Sequence, residues 1–462
     1  MNAEQFAISN SLLAKYEPII GLEVHVELNT KSKMFCTCST EYFGAKPNTH
    51  TCPICLGLPG ALPYANTEAL VACAKIGLAL GCTISEESRF ERKNYFYPDL
   101  PKGFQISQYR WPLTRDGKIE VRSAKGEVRT VRINRVHMEE DTGKLIHQGD
   151  STLIDYNRSG IPLVEIVTEP DFRDSEEIRD YAKKLQQICR YLGVSNANME
   201  RGDMRLEANV SVRRIPNGHP ERAERVEGSV ELPSYRVELK NINSFRFMVA
   251  AVEYEINRQI EALENGELLV QETRGWDENK KQTYPQRKKE EANDYRYFPE
   301  PDVPKLQIKN YKLKIKEEMP ELPGEKITRF VQSYNLNVAQ AVILIDTQSL
   351  ADYFEEAVKI GAEHNVAASK IANALINKKF DREKILPADL IKTLLRESEK
   401  PVLPEKELES AANAVISKNP GAVDDYKNGK TASLQFLLGQ IMKETSGKID
   451  PQKAREILLK KL

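Results

Sequence analysis

A short segment near the start of the chain restricts the fold more than any other. From Ile20 to Leu28 apolar and polar side chains alternate without a break, which is typical of a β-strand with one buried face. The polar face carries Glu23, His25 and Glu27, each about 6.5–7 Å from the next. Such a face can contribute to a divalent-cation site if neighbouring strands supply further ligands. The exposed charged face of an antiparallel sheet would show the same alternation.

The composition limits the classes of protein to which the chain can belong. Its 462 residues suffice for roughly two to four domains. The formal net charge is −1, so any nucleic-acid contact would depend on a local basic patch. The N-terminal segment lacks the apolar stretch of a signal peptide, and the most apolar run, residues 341–345, is too short to span a membrane. We therefore expect a cytoplasmic protein without membrane contact.

Periodicity predicts further elements. A second strand is predicted over 205–212, with Glu207 on its polar face, and helices are predicted over 174–192 and 247–263. Proline-containing breaks occur near residues 298–304 and 400–404. Beyond the first break the patterns are helical. The predicted fold is α+β, with an antiparallel-sheet domain over 1–300, a helical domain over 301–405 and a small helical tail over 406–462.

The helical part contains three predicted helix ends. Ser349 is predicted to cap a helix whose apolar stripe includes Leu350 and Phe354, and Gly361 is predicted to end it. Asp450 is predicted to cap the last helix, which would begin at Pro451.

The tail differs from the rest of the chain in charge. From residue 411 onward it has nine basic and five acidic side chains, a balance of +4 in a chain whose total is −1. This local excess favours contact with nucleic-acid phosphates. A helical cap that only shields the preceding domain is the alternative.

Two cysteine pairs indicate a metal site. Cys36 and Cys38 form C-x-C, and Cys52 and Cys55 form C-x-x-C beside turn-forming residues. Two close pairs on a short loop fit a tetrahedral zinc site of four thiolates. Because four thiolates leave no open position, the zinc would be structural. Four buried free thiols are the alternative.

Other segments carry charged or aromatic side chains whose meaning is open. Residues 136–141 place three carboxylates beside a histidine, and this segment taken alone favours a solvated acidic turn. Residues 92–103 and 294–298 interleave basic and aromatic side chains, which suits either contact with nucleotides or packing at a domain edge. The chain has no P-loop and no dinucleotide-binding glycine motif. If it uses ATP, the nucleotide would bind by way of a metal-lined sheet.

The whole chain resembles the family of B subunits of tRNA-dependent amidotransferases. The motifs that carry this resemblance extend from the first strand to the tail. They are IGLEVHVEL, CPICLGLPGALP, RKNYFYPDLPKGFQISQ, RVHMEEDTGK, DYNRSGIPLVEIVTEPD, GDMRLEANVS, ELKNINSF, DYRYFPEPD and DDYKNGKTASLQFLLGQIMK.

The resemblance implies an activity and partners. The antiparallel-sheet domain over 1–300 would be the catalytic cradle domain, with a glutamine-synthetase-like sheet. It would use ATP and Mg²⁺ to convert Glu-tRNA(Gln) to Gln-tRNA(Gln), and Asp-tRNA(Asn) to Asn-tRNA(Asn). Ammonia would come from an amidase-type A subunit through a channel, and a small C subunit would complete a heterotrimer. The paired cysteines occur in only part of the family, which supports a structural zinc.

The resemblance also implies roles for particular residues. Lys93, Lys102 and Glu140 would form the gate of the ammonia channel and take part in catalysis. Lys240, Asn241 and Asn243 are expected to contact the nucleotide. The implied magnesium ligands are Glu23, His25, Glu140 and Glu207.

Two other functional classes remain open at this point. The chain could be a non-catalytic scaffold that presents aminoacyl-tRNA to an enzyme, or a structural zinc adaptor. The acidic face with Glu23, His25 and Glu207 argues against a pure RNA binder, since carboxylates repel phosphates. The sequence does not decide between the two tRNA substrates.

Overall fold

The computed structural model divides into two compact units, Met1–Thr328 and Arg329–Leu462. The three-part division at residues 300 and 405 remains a prediction. The structure describes residue 12 and residues 14–215, 232–288, 294–308, 312–377, 384–398, 405–445 and 451–462.

The first unit is built on strands, as the alternating segments predict. Among its described residues the strands are β1 (Tyr16–Glu27), β2 (Thr83–Ile84), β3 (Glu91–Asn94), β4 (Phe104–Ser107), β5 (Thr114–Arg122), β6 (Val128–Glu140), β7 (Lys144–Gln148), β8 (Ser151–Asp155), β9 (Pro162–Thr168), β10 (Met204–Arg214), β11 (Val237–Ile242), β12 (Glu272–Asp277), β13 (Gln282–Lys288) and β14 (Phe298–Pro299).

Nine of these strands form one large sheet in the order β13, β12, β11, β10, β1, β9, β6, β5, β2. Neighbours are antiparallel except β11 and β12, which are parallel. Two smaller sheets join β14, β3 and β4, and β7 with β8. The mixed α+β class and the mostly antiparallel sheet are confirmed, whereas a glutamine-synthetase-like cradle remains a prediction.

The first strand lies near the middle of the large sheet, between β10 and β9. Its apolar residues are buried, with Ile20, Val24 and Val26 fully inaccessible. Its polar residues Glu23 and His25 belong to the opposite, partly exposed face. The predicted alternation is therefore confirmed, and a one-residue shift in register would bury the polar face instead.

Three helices cover the apolar face, and their side chains join the same core. The second has Asp174 as its N-cap, which accepts a hydrogen bond from the Glu177 N–H at 2.8 Å. Both helices predicted in this unit are confirmed to within two residues. The three are α1 (Thr67–Ala79), α2 (Ser175–Tyr191) and α3 (Phe245–Glu264).

The remaining described elements are helical. In chain order they are α4 (Lys312–Glu317), α5 (Pro323–Tyr334), α6 (Val338–Leu344), α7 (Gln348–Glu363), α8 (Ala368–Ile376), α9 (Pro387–Ser398), α10 (Glu405–Lys418), α11 (Pro420–Lys427), α12 (Ala432–Glu444) and α13 (Pro451–Lys461).

Both predicted ends of α7 are wrong. The N-cap is Thr347, not Ser349, because the Thr347 hydroxyl accepts the Leu350 N–H at 3.2 Å. Gly361 does not end the helix, which continues to Glu363. A Cβ at Gly361 would lie 2.8 Å from a side-chain carbon of Ile371 on α8. The glycine thus permits close helix packing and is not a stop signal. The predicted break at 400–404 and the cap Asp450 lie outside the described residues.

The last four helices, α10 to α13, surround a core of their own, with Leu437, Ile441 and Leu458 fully buried. The predicted apolar stripe on α12 is thereby confirmed. No helix among the described residues is long and apolar enough to cross a membrane.

Candidate active site

The polar face of the large sheet brings two histidines to one carboxylate. In the sheet register Glu165 on β9 stands opposite His25 on β1 and opposite His137 on β6. Its Oε2 atom lies 3.2 Å from Nε2 of His137 and 3.6 Å from Nε2 of His25. Glu139 approaches the same two nitrogens at 3.4 and 3.7 Å. These four residues are called the histidine cluster.

Charges within the histidine cluster depend on one another. Burial lowers the pKa of His25, but hydrogen bonds to Glu139 and Glu165 outweigh this effect and raise the pKa to about 10. Burial would raise the pKa of Glu165, yet His137 and His25 hold it well below its usual range. The cluster therefore keeps ionised carboxylates in a largely buried place, and such groups are ligands for hard divalent cations.

A second acidic group, the glutamate cluster, consists of Glu23, Glu207 and Glu238. Glu23 stands opposite Glu207 in the sheet, and one carboxylate oxygen from each of the three lies within 4.8 Å of the others. Nζ of Lys240 lies 2.8 Å from Glu207 and 3.2 Å from Glu238. Burial and repulsion by Glu165 and Glu207 raise the pKa of Glu23. A bound cation would relieve this repulsion.

Three of the four predicted magnesium ligands share one cavity. Glu23, His25 and Glu207 line its wall together with Glu139 and Glu165, and its volume is about 230 Å³. Mg²⁺ prefers oxygen ligands and retains several waters, so carboxylates around a small cavity suit it. The predicted ligand set remains a prediction, to which the geometry adds two carboxylates.

The fourth predicted ligand, Glu140, has different neighbours. Its carboxylate lies 2.5 Å from Nζ of Lys102 and accepts the Ile106 N–H at 2.9 Å. The Gln105 side-chain amide donates to the Glu140 carbonyl at 2.8 Å and to the Glu139 carboxylate at 3.1 Å. Lys102 and Glu140 therefore form an ion pair connected to the cavity wall through Gln105. Their assignment to a channel gate remains a prediction.

The two segments rich in basic and aromatic residues meet beside the cavity, where β3 pairs with β14. Nζ of Lys93 lies 5.2 Å from the centre of the Tyr295 ring, and Tyr297 stacks on Tyr109 with ring centres 4.8 Å apart. Burial lowers the pKa of Lys93, but Glu139 and Tyr297 raise it above its usual value. The side chain is therefore an ammonium group directed at the carboxylates.

A larger cavity of about 520 Å³ adjoins the first and shares Glu23 and Glu165 with it. The Tyr109 and Tyr297 rings form part of its wall. Nε of Arg135 is buried without a hydrogen-bond partner, and its guanidinium lies 5.4 Å from the Tyr109 ring centre. The basic side chains of the wall are Lys93, Arg135, Arg236 and Lys240.

The residues predicted to contact the nucleotide lie along β11 and just after it. Lys240 faces the cavities, as described above. Asn241 and Asn243 are exposed, and Asn241 donates to the Gln286 side chain at 3.4 Å. Only Lys240 among the three lines either cavity.

The four paired cysteines converge as their spacing predicts. The sulfur atoms of Cys36, Cys38, Cys52 and Cys55 all lie within 4.8 Å of one another. Those of Cys52 and Cys55 are 3.8 Å apart, the separation expected for two corners of a tetrahedron with Zn–S bonds of about 2.3 Å. A hydrogen bond with Cys36 lowers the pKa of Cys55 to about 5, and nearby Lys33 favours the same thiolate. This donor set, called the cysteine knuckle, fits zinc.

Comparison with known proteins identifies the family. The model of the GatB/GatE catalytic domain matches residues 18–314, and that of the GatB domain matches residues 352–462. The B subunits of aspartyl/glutamyl-tRNA(Asn/Gln) amidotransferases are similar over almost the whole chain. The one from Carboxydothermus hydrogenoformans is 44% identical over 97% of this chain and 99% of its own. The one from Thermotoga maritima is 42% identical, with the same coverage.

This chain belongs to the GatB/GatE family. The resemblance seen in the motifs is thereby confirmed, and so is the enzyme class, a glutamine-dependent amidotransferase. The match to the GatB/GatE catalytic domain spans both acidic clusters, both cavities and the cysteine knuckle. The second match spans the four tail helices.

Three carboxylates of the two clusters were not among the metal ligands predicted from the sequence. Glu165 could have been found, because it is the lone charged residue of the otherwise apolar strand β9. The interpretation of residues 136–141 as a solvated acidic turn is wrong, since Glu139 is 2% exposed and Asp141 is 3% exposed. Glu139 lies on the same strand face as His137, two positions away. Glu238 gave no comparable signal.

Elemental analysis of the purified chain should find about one zinc per chain. Replacing Cys52 and Cys55 with serine should abolish this zinc and lower the melting temperature, because the knuckle would lose the ion that crosslinks its two loops. Replacing the buried Cys189 with alanine is the control, and it should leave the metal content unchanged. Metal-replete protein without zinc, in which all four thiols react freely, would contradict the assignment.

Proposed function

We propose that this chain is the subunit that activates and amidates misacylated tRNA, converting Glu-tRNA(Gln) and Asp-tRNA(Asn) to their amides at the expense of ATP. The names of the 42–44% identical relatives support the substrates. One observation carries the chemistry: two carboxylate clusters face a cavity that also contains Lys93 and Lys240. This combination suits a metal-bound phosphate group and does not suit an RNA strand held by charge alone.

The reaction requires activation because a carboxylate is a poor electrophile. An oxygen of the amino acid's side-chain carboxylate attacks the γ-phosphorus of ATP, and ADP leaves with the bridging oxygen. Ammonia then attacks the acyl carbon, and inorganic phosphate leaves with the transferred oxygen. When bound, Mg²⁺ would neutralise phosphate charge and align the attack. Carboxylates of the histidine and glutamate clusters would hold it.

The larger cavity is the proposed nucleotide site. Its stacked pair Tyr109–Tyr297 offers a flat aromatic surface, and the unpartnered Nε of Arg135 offers a hydrogen-bond donor. Lys93 and Lys240 line both cavities beside the carboxylates, where they would contact the β- and γ-phosphates. Preorganised ammonium groups stabilise charge that develops during phosphoryl transfer.

The Lys102–Glu140 pair is the proposed point of ammonia entry. The pair is largely buried and joins the cavity wall through Gln105. Separation of the two side chains would open a polar path for a small neutral nucleophile. The ammonia would be released from glutamine by an amidase-type A subunit, and a small C subunit would complete the heterotrimer.

Amide formation by the reconstituted heterotrimer tests this proposal. The purified chain with its two partner subunits, ATP, Mg²⁺ and glutamine should convert Glu-tRNA(Gln), Asp-tRNA(Asn) or both, with about one ADP formed per amide. Omission of ATP should leave the tRNA unchanged. If the complex bound misacylated tRNA but formed no amide and no ADP, the chain would be a scaffold that presents aminoacyl-tRNA.

A further inference from the structure

A glycine joins the cysteine knuckle to the Lys102–Glu140 pair. Gly57 follows Cys55 by two positions and has a φ of +66°. A Cβ at this position would lie 2.4 Å from Cγ of Lys102 and 3.2 Å from its Cα. No other residue type could bring the knuckle backbone so close to the lysine stem. The Lys102 side chain is thus confined by the loop that carries the second cysteine pair.

A second glycine, Gly160, lies between the cysteine knuckle and Glu140. Gly160 has a φ of +86°, and a Cβ there would lie 3.5 Å from Cβ of Cys55 and 3.9 Å from Oε2 of Glu140. The Gly160 carbonyl accepts the Met34 N–H at 2.8 Å, just before the first cysteine pair. Both partners of the ion pair therefore lie against backbone that the knuckle holds in place.

A buried lysine, Lys33, also holds the knuckle in place. Lys33 is fully buried, and its ammonium group donates to the His50 carbonyl at 2.7 Å. The same nitrogen lies 3.8 Å from Sγ of Cys55 and 3.4 Å from the Tyr156 carbonyl. A buried ammonium is costly unless anions or oriented dipoles surround it. The His50 and Tyr156 carbonyls and the Cys55 sulfur supply that compensation, so Lys33 ties the two cysteine loops to the segment that carries Tyr156.

We propose that the cysteine knuckle is a positioning element for the Lys102–Glu140 pair, so that the bound metal keeps the ammonium group of Lys102 on Glu140. Without a metal the two cysteine loops are no longer crosslinked, and Gly57 can move away from Lys102. The lysine side chain then regains rotamer freedom, which favours dissociation of the pair. The role assigned to the pair in ammonia entry rests on the proposed function, whereas the mechanical coupling does not.

Because Gly57 and Lys102 are in close contact, displacing Lys102 should also disturb the knuckle, which allows a test on the chain alone. Gly57→Ala should accelerate metal release to a chromogenic chelator by at least about fivefold, the lower range of typical coupling. Gly60→Ala is the matched control. Gly60 has a φ of +85° in the same loop, but a Cβ there would meet nothing within 4 Å. Both substitutions therefore strain the backbone, and only the first displaces Lys102.

Two further variants separate coupling from misfolding. Glu140→Gln weakens the ion pair without altering the knuckle, and it should also accelerate metal release. In a Lys102→Ala background the Cγ atom, which makes the closest contact, is gone, so Gly57→Ala should accelerate metal release by a smaller factor than it does in the unmodified chain. Equal release rates for Gly57→Ala, Gly60→Ala and the unmodified chain, with an unchanged rate for Glu140→Gln, would overturn the proposal.

A second measurement tests the consequence for the reaction. In the heterotrimer, Gly57→Ala should reduce glutamine-dependent amidation more than amidation with added ammonium chloride, since added ammonia can reach the cavity by another route. A purely structural defect would lower both rates equally, and that result would overturn the positioning role. If the unmodified complex formed no amide from either source, the proposed function would fail, while the metal-release experiment would still decide the coupling.

Discussion

Replacement of Glu165 with glutamine is expected to lower ATP-dependent amidation by at least about 100-fold, equivalent to ~3 kcal/mol of transition-state stabilisation. The substitution preserves the size of the side chain but removes the negative charge that His25 and His137 both contact. The measurement is kcat/KM for misacylated tRNA at saturating ATP. The partner's glutaminase activity should change much less, because it belongs to another subunit.

A matched substitution provides the control for this result. Glu127 is exposed just before β6, so Glu127→Gln makes the same chemical change outside the cavity. Its effect should stay within about threefold, or less than 1 kcal/mol. A similarly small effect of Glu165→Gln would exclude the histidine cluster as the reaction centre.

Magnesium titration of the same variants distinguishes the two possible ligand sets. Glu165→Gln should raise the Mg²⁺ concentration required for half-maximal activity, whereas Glu140→Gln should not. The reason is that the Glu140 carboxylate is directed at Lys102 and the Ile106 N–H. A raised Mg²⁺ requirement in Glu140→Gln alone would restore the ligand set implied by the resemblance.

Removal of residues 405–462 is expected to raise KM for tRNA by at least about tenfold and to flatten its dependence on salt, since phosphate contacts carry the salt slope. Two tail lysines are occupied by ion pairs, Lys418 with Glu444 and Lys430 with Asp425. Among the described tail residues, six other basic residues are exposed and available for phosphates. They are Lys427, Lys443, Lys453, Arg455, Lys460 and Lys461.

Side-chain substitutions control for the removal of the whole tail. Replacing Lys460 and Lys461 with alanine should reproduce part of the effect, whereas Lys418→Ala, which removes a paired lysine, should have little influence. Subunit assembly and glutaminase activity should survive truncation, because the tail helices surround a core of their own. A truncated chain that aggregates, with unchanged tRNA affinity in its soluble fraction, would show that the tail is only a protective cap.

The strands and helices were more predictable from the sequence than the contacts between them. The alternation around Glu23 and His25 is a local property of one strand, so the strand and its buried face were predictable. The pairing of His25 with Glu165 depends on which strands become neighbours, and one sequence does not specify that order. The cysteine knuckle was predictable for the opposite reason, since all four ligands lie within 20 residues of one another.

Glu139 and Glu140 have different partners, which the local sequence does not predict. The two residues are adjacent in the sequence and equally acidic, yet one contacts the histidines and the other contacts Lys102. Alternation along the strand puts Glu139 on the side of His137 and Glu140 on the other side, but it does not show which partner each side meets. Only the position of β4 against β6 reveals which side faces which partner.

The order of strands also determines when each strand can pair during synthesis of the chain. The first strand lies between β9 and β10, and the contact from Asn209 to Glu23 joins residues 186 positions apart. At usual ribosomal rates of ~5–20 residues per second, about 10 to 40 s pass between the synthesis of β1 and that of β10. Until β10 is made, one edge of β1 has no partner strand, and its apolar side chains are exposed to aggregation. Such exposure favours the binding of chaperones to the nascent chain. A chain that ends between β9 and β10 therefore contains the whole histidine cluster but lacks Glu207 and Glu238 of the glutamate cluster.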